Sequence, residues 1–191
     1  TEDDRVARVF GRFEVRSGLV YREFHERIHL IDAFDIPVGW LKLAGFDHGL
    51  ANPTAVEWLA FDQDGNGYVY DEHYAAEQVP SWHAEAIKKR GITRLWADPS
   101  THNRTGPQGE RVAGEYGRHG VTLQAGNNDW AAGTERLKQY LHYEQDVATG
   151  ELVLPPRLYI MRGRAPNLVR ELKKLRWKIG ASGQTYEDTV G

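Results

Sequence analysis

The chain contains no cysteine, and its one methionine is Met161. The absence of thiols excludes a disulfide framework, a cysteine nucleophile and a thiolate zinc site, and it suits a reducing compartment. No apolar run approaches the roughly 18 residues needed to span a bilayer, and no secretory leader precedes Thr1. A soluble, cytoplasmic protein with no membrane contact is expected. Because the chain does not begin with methionine, it reads as a domain taken from a longer polypeptide. A Gly-x-x-x-x-Gly-Lys-Ser/Thr phosphate loop is also lacking, so ATP hydrolysis by this chain alone is not expected. Nor is there an excess of positive charge: 24 Lys and Arg face 27 Asp and Glu, for a net charge of -3. Binding of nucleic acid by bulk charge is thereby excluded, and any such contact must be local.

What is present suits one α/β domain of 191 residues, large enough to bury a core without covalent staples. We divide it into an N-terminal β extension, 1–39, and a core, 40–191. Apolar and polar residues alternate from Val6 to Ile31 around Ser17-Gly18, which predicts two or three antiparallel strands. Three central strands follow, Trp40–Asp47, Ala55–Phe61 and Gly67–Tyr74, the last two joined by a turn rich in Asp-Gly and Asn-Gly pairs. Helices are predicted from Ser81 to Arg90, Gln108 to Arg118, Trp130 to Tyr143 and Ala165 to Trp177, with Asn127-Asn128-Asp129 capping the third. Between them lie strands Thr93–Ala97 and Val121–Gln124, then a late hairpin of Glu151–Leu154 and Arg157–Met161 about Pro155-Pro156. The tail from Gly180 is too short and polar to assign. Antiparallel strands followed by alternating helix and strand describe a mixed sheet flanked by helices.

Two apolar runs end in aspartate: Leu41-Lys-Leu-Ala-Gly-Phe-Asp47 and Arg94-Leu-Trp-Ala-Asp98. Taken singly, each aspartate reads as a turn residue. Taken together, at the C-terminal ends of two strands, they occupy the place where open α/β sheets put their ligands. Neighbouring carboxylates repel unless a cation lies between them. Hard cations prefer oxygen ligands, and a divalent pair about 4 Å apart can activate water and stabilise a leaving oxygen in phosphodiester hydrolysis.

The clusters Gly45-Phe-Asp47-His-Gly49, Asn52-Pro-Thr-Ala55, Trp96-Ala-Asp98-Pro-Ser100 and Ala125-Gly-Asn-Asn-Asp129 resemble the nuclease domain of bacteriophage large terminase subunits over most of the chain. The resemblance implies a ribonuclease H-like fold, with the first and fourth central strands parallel neighbours that bring Asp47 beside Asp98. It further implies a two-metal endonuclease, using Mg²⁺ or Mn²⁺, that cuts concatemeric double-stranded viral DNA during packaging in the host cytoplasm. Asp47 and Asp98 match its first two acidic positions. Asp188 is chosen for the third, with Glu187 and Glu72 as auxiliaries. An ATPase domain in the same polypeptide, the portal protein and the small terminase subunit are the implied partners. A junction resolvase or transposase-type nuclease is the alternative within the same fold.

Among basic residues, Arg104, Lys138, Lys173 and Lys174 are candidates for phosphate contact, against the simpler reading of solvated helix faces. His25-Glu26-Arg27-Ile28-His29 matches a zinc-peptidase motif, although the alternation of Phe24, Glu26, Ile28 and Leu30 suits a strand edge and no third ligand follows. Asp62, Asp64 and Asn66 imitate a calcium loop, but its twelfth position is His73 and strands flank it. A non-catalytic docking module, its acidic pair anchoring loops, is the reading furthest from an enzyme.

Overall fold

A computed structural model describes residues 18–49, 52–104, 110–180 and 183–187; of residues 178–180 and 183–187 only the backbone is described. In chain order the elements are α1 (Glu26–His29), β1 (Leu30–Ile31), β2 (Leu41–Asp47), β3 (Thr54–Phe61), β4 (Gly67–Ala75), α2 (Pro80–Lys88), β5 (Arg94–Ala97), α3 (Val112–Arg118), β6 (Thr122–Ala125), α4 (Trp130–Leu141), β7 (Glu144–Gln145), β8 (Leu152–Leu154), β9 (Leu158–Met161), α5 (Pro166–Lys174), β10 (Arg176–Gly180) and β11 (Gly183–Glu187). Seven strands form one mixed sheet in the order β1-β9-β4-β3-β2-β5-β6. β2, β3 and β4 are antiparallel, whereas β5 and β6 extend the sheet parallel to β2. No helix among the described residues is long and apolar enough to cross a membrane.

Strand alternation divides the sheet into two faces. On one, Ala44, Phe46, Val56, Trp58, Leu95 and Leu123 pack against Ala84 and Ile87 of α2 and Tyr116 of α3, all buried. On the other, Val69, Leu158 and Ile160 meet Leu141 of α4 and Leu172 of α5. No β2 or β5 side chain joins this second cluster. The second face is thus covered at the β4 and β9 side and open over β2 and β5. A register shift between Trp58 and Leu59 leaves Tyr70 as the extra residue of β4, a bulge that re-aims the strand beside the open area.

Three connections differ from the sequence reading. Residues 26–31 form a helical turn and a short edge strand parallel to β9, in place of an antiparallel extension, because His29 is drawn into the core and fixed to the Leu141 carbonyl at 2.9 Å. The expected strand before Ser17 lies outside the described residues, and residues 19–24, expected as its partner, form no strand beyond an isolated antiparallel bridge from Leu19 to Arg176. Glu151–Leu154 and Arg157–Met161 do not pair: β8 pairs with β7, and β9 enters the main sheet beside β4, where its apolar residues are buried. The last helix stops at Lys174, and Arg176 opens the β10–β11 ribbon. The start of α2 is set by Pro80 at its first turn, with Val79 as cap in place of Ser81. Asp129 caps α4 as expected, accepting from Ala132 N at 3.0 Å. The turn after β3 is closed by Asp62, whose Oδ1 accepts from the backbone of Asp64 and Asn66, with Gly65 at φ +77°. This accounts for the calcium-loop resemblance as turn chemistry.

Candidate active site

β2 and β5 run parallel with Gly45 beside Trp96 and Phe46 beside Ala97. The next step along both strands places Asp47 beside Asp98, and both line one groove with Gly45, Glu57, Trp96, Asn127 and Asn128. Asp47 is exposed at the strand's end and makes no hydrogen bond or ion pair with the described residues. Asp98 turns the chain into a short 3-10 segment, Pro99–His102, its Oδ1 accepting from Ser100 N at 2.7 Å. The Ser100 side chain and backbone N–H hold the Asp98 carboxyl below its usual range. The turn role and the groove role therefore coexist in this residue.

The glycine and threonine around Asp47 set its loop. The Thr54 hydroxyl donates to the Gly49 carbonyl at 3.0 Å and accepts from Gly49 N at 3.3 Å. A Cβ on Gly49 would run into the Asn52 carbonyl far inside van der Waals contact. Gly49→Ala is therefore expected to cost about 1–3 kcal/mol, the usual range for overpacking, read as a lower denaturation midpoint with an unchanged slope. His48 stacks on Phe46 at 6.3 Å between ring centroids. Burial lowers its pKa, and the neighbouring Asp47 opposes that shift. A largely neutral imidazole leaves the charge of Asp47 unbalanced by protein.

Glu57 and Glu72 lie opposite one another on β3 and β4. Glu72 is half-buried, and it caps α5 from a distance. Its Oε1 accepts from Leu168 N at 2.6 Å, and its Oε2 from Asn167 N at 3.1 Å and Asn167 Nδ2 at 2.7 Å. This satisfies two of the orphan amides of that helix. Glu57 is left with a buried Oε2 that has no hydrogen-bond partner. Burial, with Glu72 facing it and Asp71 nearby, pushes the Glu57 carboxyl up to about 9. Sequence reasoning missed Glu57 and Trp96. The signal available was one charge inside the apolar run Ala55-Val-Glu-Trp-Leu-Ala60.

The charged donors on this groove are the hard oxygens of Asp47 and Asp98, joined by the Asn127 and Asn128 amides, and hard divalent cations favour such donors. Among the described residues no three His, Asp or Glu side chains converge tightly enough to hold an ion alone. Asp188 lies outside the described residues, and of Glu187 only the backbone, at the end of β11, is described.

The other site expectations separate as follows. Arg104 is exposed beyond the Asp98 turn. Lys174 is exposed on α5, whereas Lys173 is engaged by Glu26 at 2.6 Å. The Lys138 ammonium lies 5.1 Å from the centroid of the Trp177 ring. The zinc arrangement does not form: His29 is buried, its Nε2 bonded to the Leu141 carbonyl and its Nδ1 within 3.0 Å of His25 N. Both ring nitrogens are committed to backbone, and the glutamate of the motif is paired with Lys173.

Neither a family model nor a curated protein sequence matches this chain. Solved structures do. The P22 large terminase nuclease domain superposes with a TM-score of 0.65 at 17% identity, over 84% of this chain and 80% of that one. The large terminase of a thermophilic bacteriophage, in complex with ATP-gamma-S, gives 0.66 at 14% identity over 96% of this chain. This chain spans 47% of the length of that ATP-gamma-S-bound protein. The large terminase nuclease of thermophilic phage G20c, at 13% identity and over 90% of its length, gives 0.59 with bound cobalt and 0.56 with bound magnesium, covering 92% and 91% of this chain. The fold is that of the large terminase nuclease domain, a ribonuclease H-like mixed sheet flanked by helices.

Proposed function

We propose that this chain is a metal-dependent DNA endonuclease that cuts concatemeric viral DNA during genome packaging. The observation that carries the reading is the placement of Asp47 and Asp98 in one groove at the C-terminal ends of adjacent parallel strands. A fold shared with terminase nucleases, one of them solved with cobalt and with magnesium, supports it. Asp47 and Asp98, completed by Asp188 with Glu187 beside it, would hold two Mg²⁺ or Mn²⁺ ions, which when bound would supply charge neutralisation of the phosphate and activation of water. Asp47 would be available as a ligand because it makes no hydrogen bond or ion pair with the described residues. The turn at Ser100 fixes the aim of Asp98. Arg104, Lys138 and Lys174 contact phosphates away from the groove, giving salt-sensitive and sequence-tolerant binding. The ATPase domain of the same polypeptide, the portal and the small terminase subunit are the partners of such a motor, working in the host cytoplasm.

The test is incubation of the purified chain with supercoiled plasmid and Mn²⁺ or Mg²⁺. Nicked and linear products are expected with either ion and none in EDTA. Cutting that persists in EDTA, or no cutting with any divalent ion, overturns the reading.

A further inference from the structure

Beside the two aspartates the floor of the groove is bare. Gly45 lies in the middle of β2, directly between Glu57 of β3 and Trp96 of β5 in the strand register. Its φ is not positive, so the backbone conformation does not demand glycine. A Cβ there would meet no atom within 4 Å, so packing does not demand it either. Glycine inside a strand weakens it, and one that neither conformation nor packing explains marks a place where something else approaches closely. Next to this gap stands the Trp96 ring, 47% exposed on the open face that the second apolar cluster does not reach.

The chemistry of the groove narrows what can lie there. Among the described residues its lining holds carboxyl groups and the amides of Asn127 and Asn128 but no lysine or arginine. On the nuclease reading, cations at the aspartates would take the phosphate, which leaves the uncharged floor beside them to a flat, uncharged part of the substrate. Nucleobases stack on aromatic rings with little regard to sequence. We propose that Gly45 and Trp96 form a seat for the base and sugar of one nucleotide lifted out of the duplex stack beside the bond to be cut. This rests on the nuclease reading and deepens it: the preferred DNA is one already distorted or easily opened at the cleavage point. Unstacking is least costly where pairing is already lost, which converts the seat into a preference.

The test uses the whole chain in Ca²⁺, with a short fluorescein-labelled duplex either fully paired or carrying a central run of mismatches, and reads binding by anisotropy. Wild-type protein is expected to bind the mismatched probe about tenfold more tightly. Trp96→Ala and Gly45→Val are each expected to abolish that preference, and Trp96→Phe to keep most of it. Trp96→Ala and Gly45→Val are expected to keep a cooperative melting transition, which separates loss of the preference from loss of folding. Equal binding of both probes by the wild type, or an undiminished preference in Trp96→Ala and Gly45→Val, overturns the seat. Neither result bears on plasmid cutting in Mn²⁺, which tests the nuclease reading separately.

Discussion

Asp47→Asn is expected to lower Mn²⁺-dependent plasmid cleavage by about a thousandfold or more, which corresponds to about 4 kcal/mol of lost transition-state stabilisation. The substitution retains the shape of the side chain and removes the charge that divalent ions would require on the proposed reading. It should leave the fold untouched, because Asp47 is exposed and has no hydrogen bond or ion pair with the described residues. A melting temperature within about 1 °C of wild type is the matching expectation, since surface substitutions away from specific contacts usually change stability little. If the acidic pair merely anchored loops, the result would be reversed, with stability altered and no cutting to lose. Cleavage retained by Asp47→Asn would remove this aspartate from the mechanism.

The second large effect concerns stability. Glu57→Gln is expected to stabilise the protein at neutral pH, and more so as pH rises. In the folded chain the Glu57 carboxyl is pushed from 4.5 up to about 9 by burial and by Glu72 across the strand. Between those values the native state holds a proton that the unfolded chain has released. Stability therefore falls as pH rises through that window. At pH 7 the cost amounts to about 3 kcal/mol. Glutamine has the same shape and no proton to lose, so the gain should approach that value near pH 7 and vanish below about pH 4.5. Urea denaturation of both proteins across this range measures it. Curves that stay parallel would show that Glu57 ionises normally. A buried acid that lowers stability beside a ligand groove is the kind of residue that function, not folding, retains.

Local chemistry made much of this molecule readable from its sequence. The two aspartates follow apolar runs whose ends could be located, and the Asp62–Gly67 turn and the Asp129 cap follow from side chains bonding to backbone close in sequence. Long-range pairing was not readable in the same way. Leu152–Leu154 and Leu158–Met161 are two short apolar runs about a proline pair, the ordinary pattern of a hairpin. Only the tertiary structure shows that one joins a surface ribbon and the other the main sheet. His25–His29 has a metal motif's spacing, yet burial against Leu141 decided its fate. Glu72 was hidden for a similar reason. Its partners, Asn167 and Leu168, lie 95 and 96 residues away in sequence.

That distant cap ties together two regions that the chain order keeps apart. α5 runs through Leu175 directly into the β10–β11 ribbon, and Leu175 and Trp177 are stapled to the chain at Val20 and Gly18 by backbone hydrogen bonds of 2.9 and 2.8 Å. The carboxylate on β4 therefore pins the root of a tether whose far end reaches Glu187, the neighbour of Asp188. The same carboxylate faces Glu57, so one side chain of β4 joins the anchoring of α5 to the protonation of its neighbour on β3.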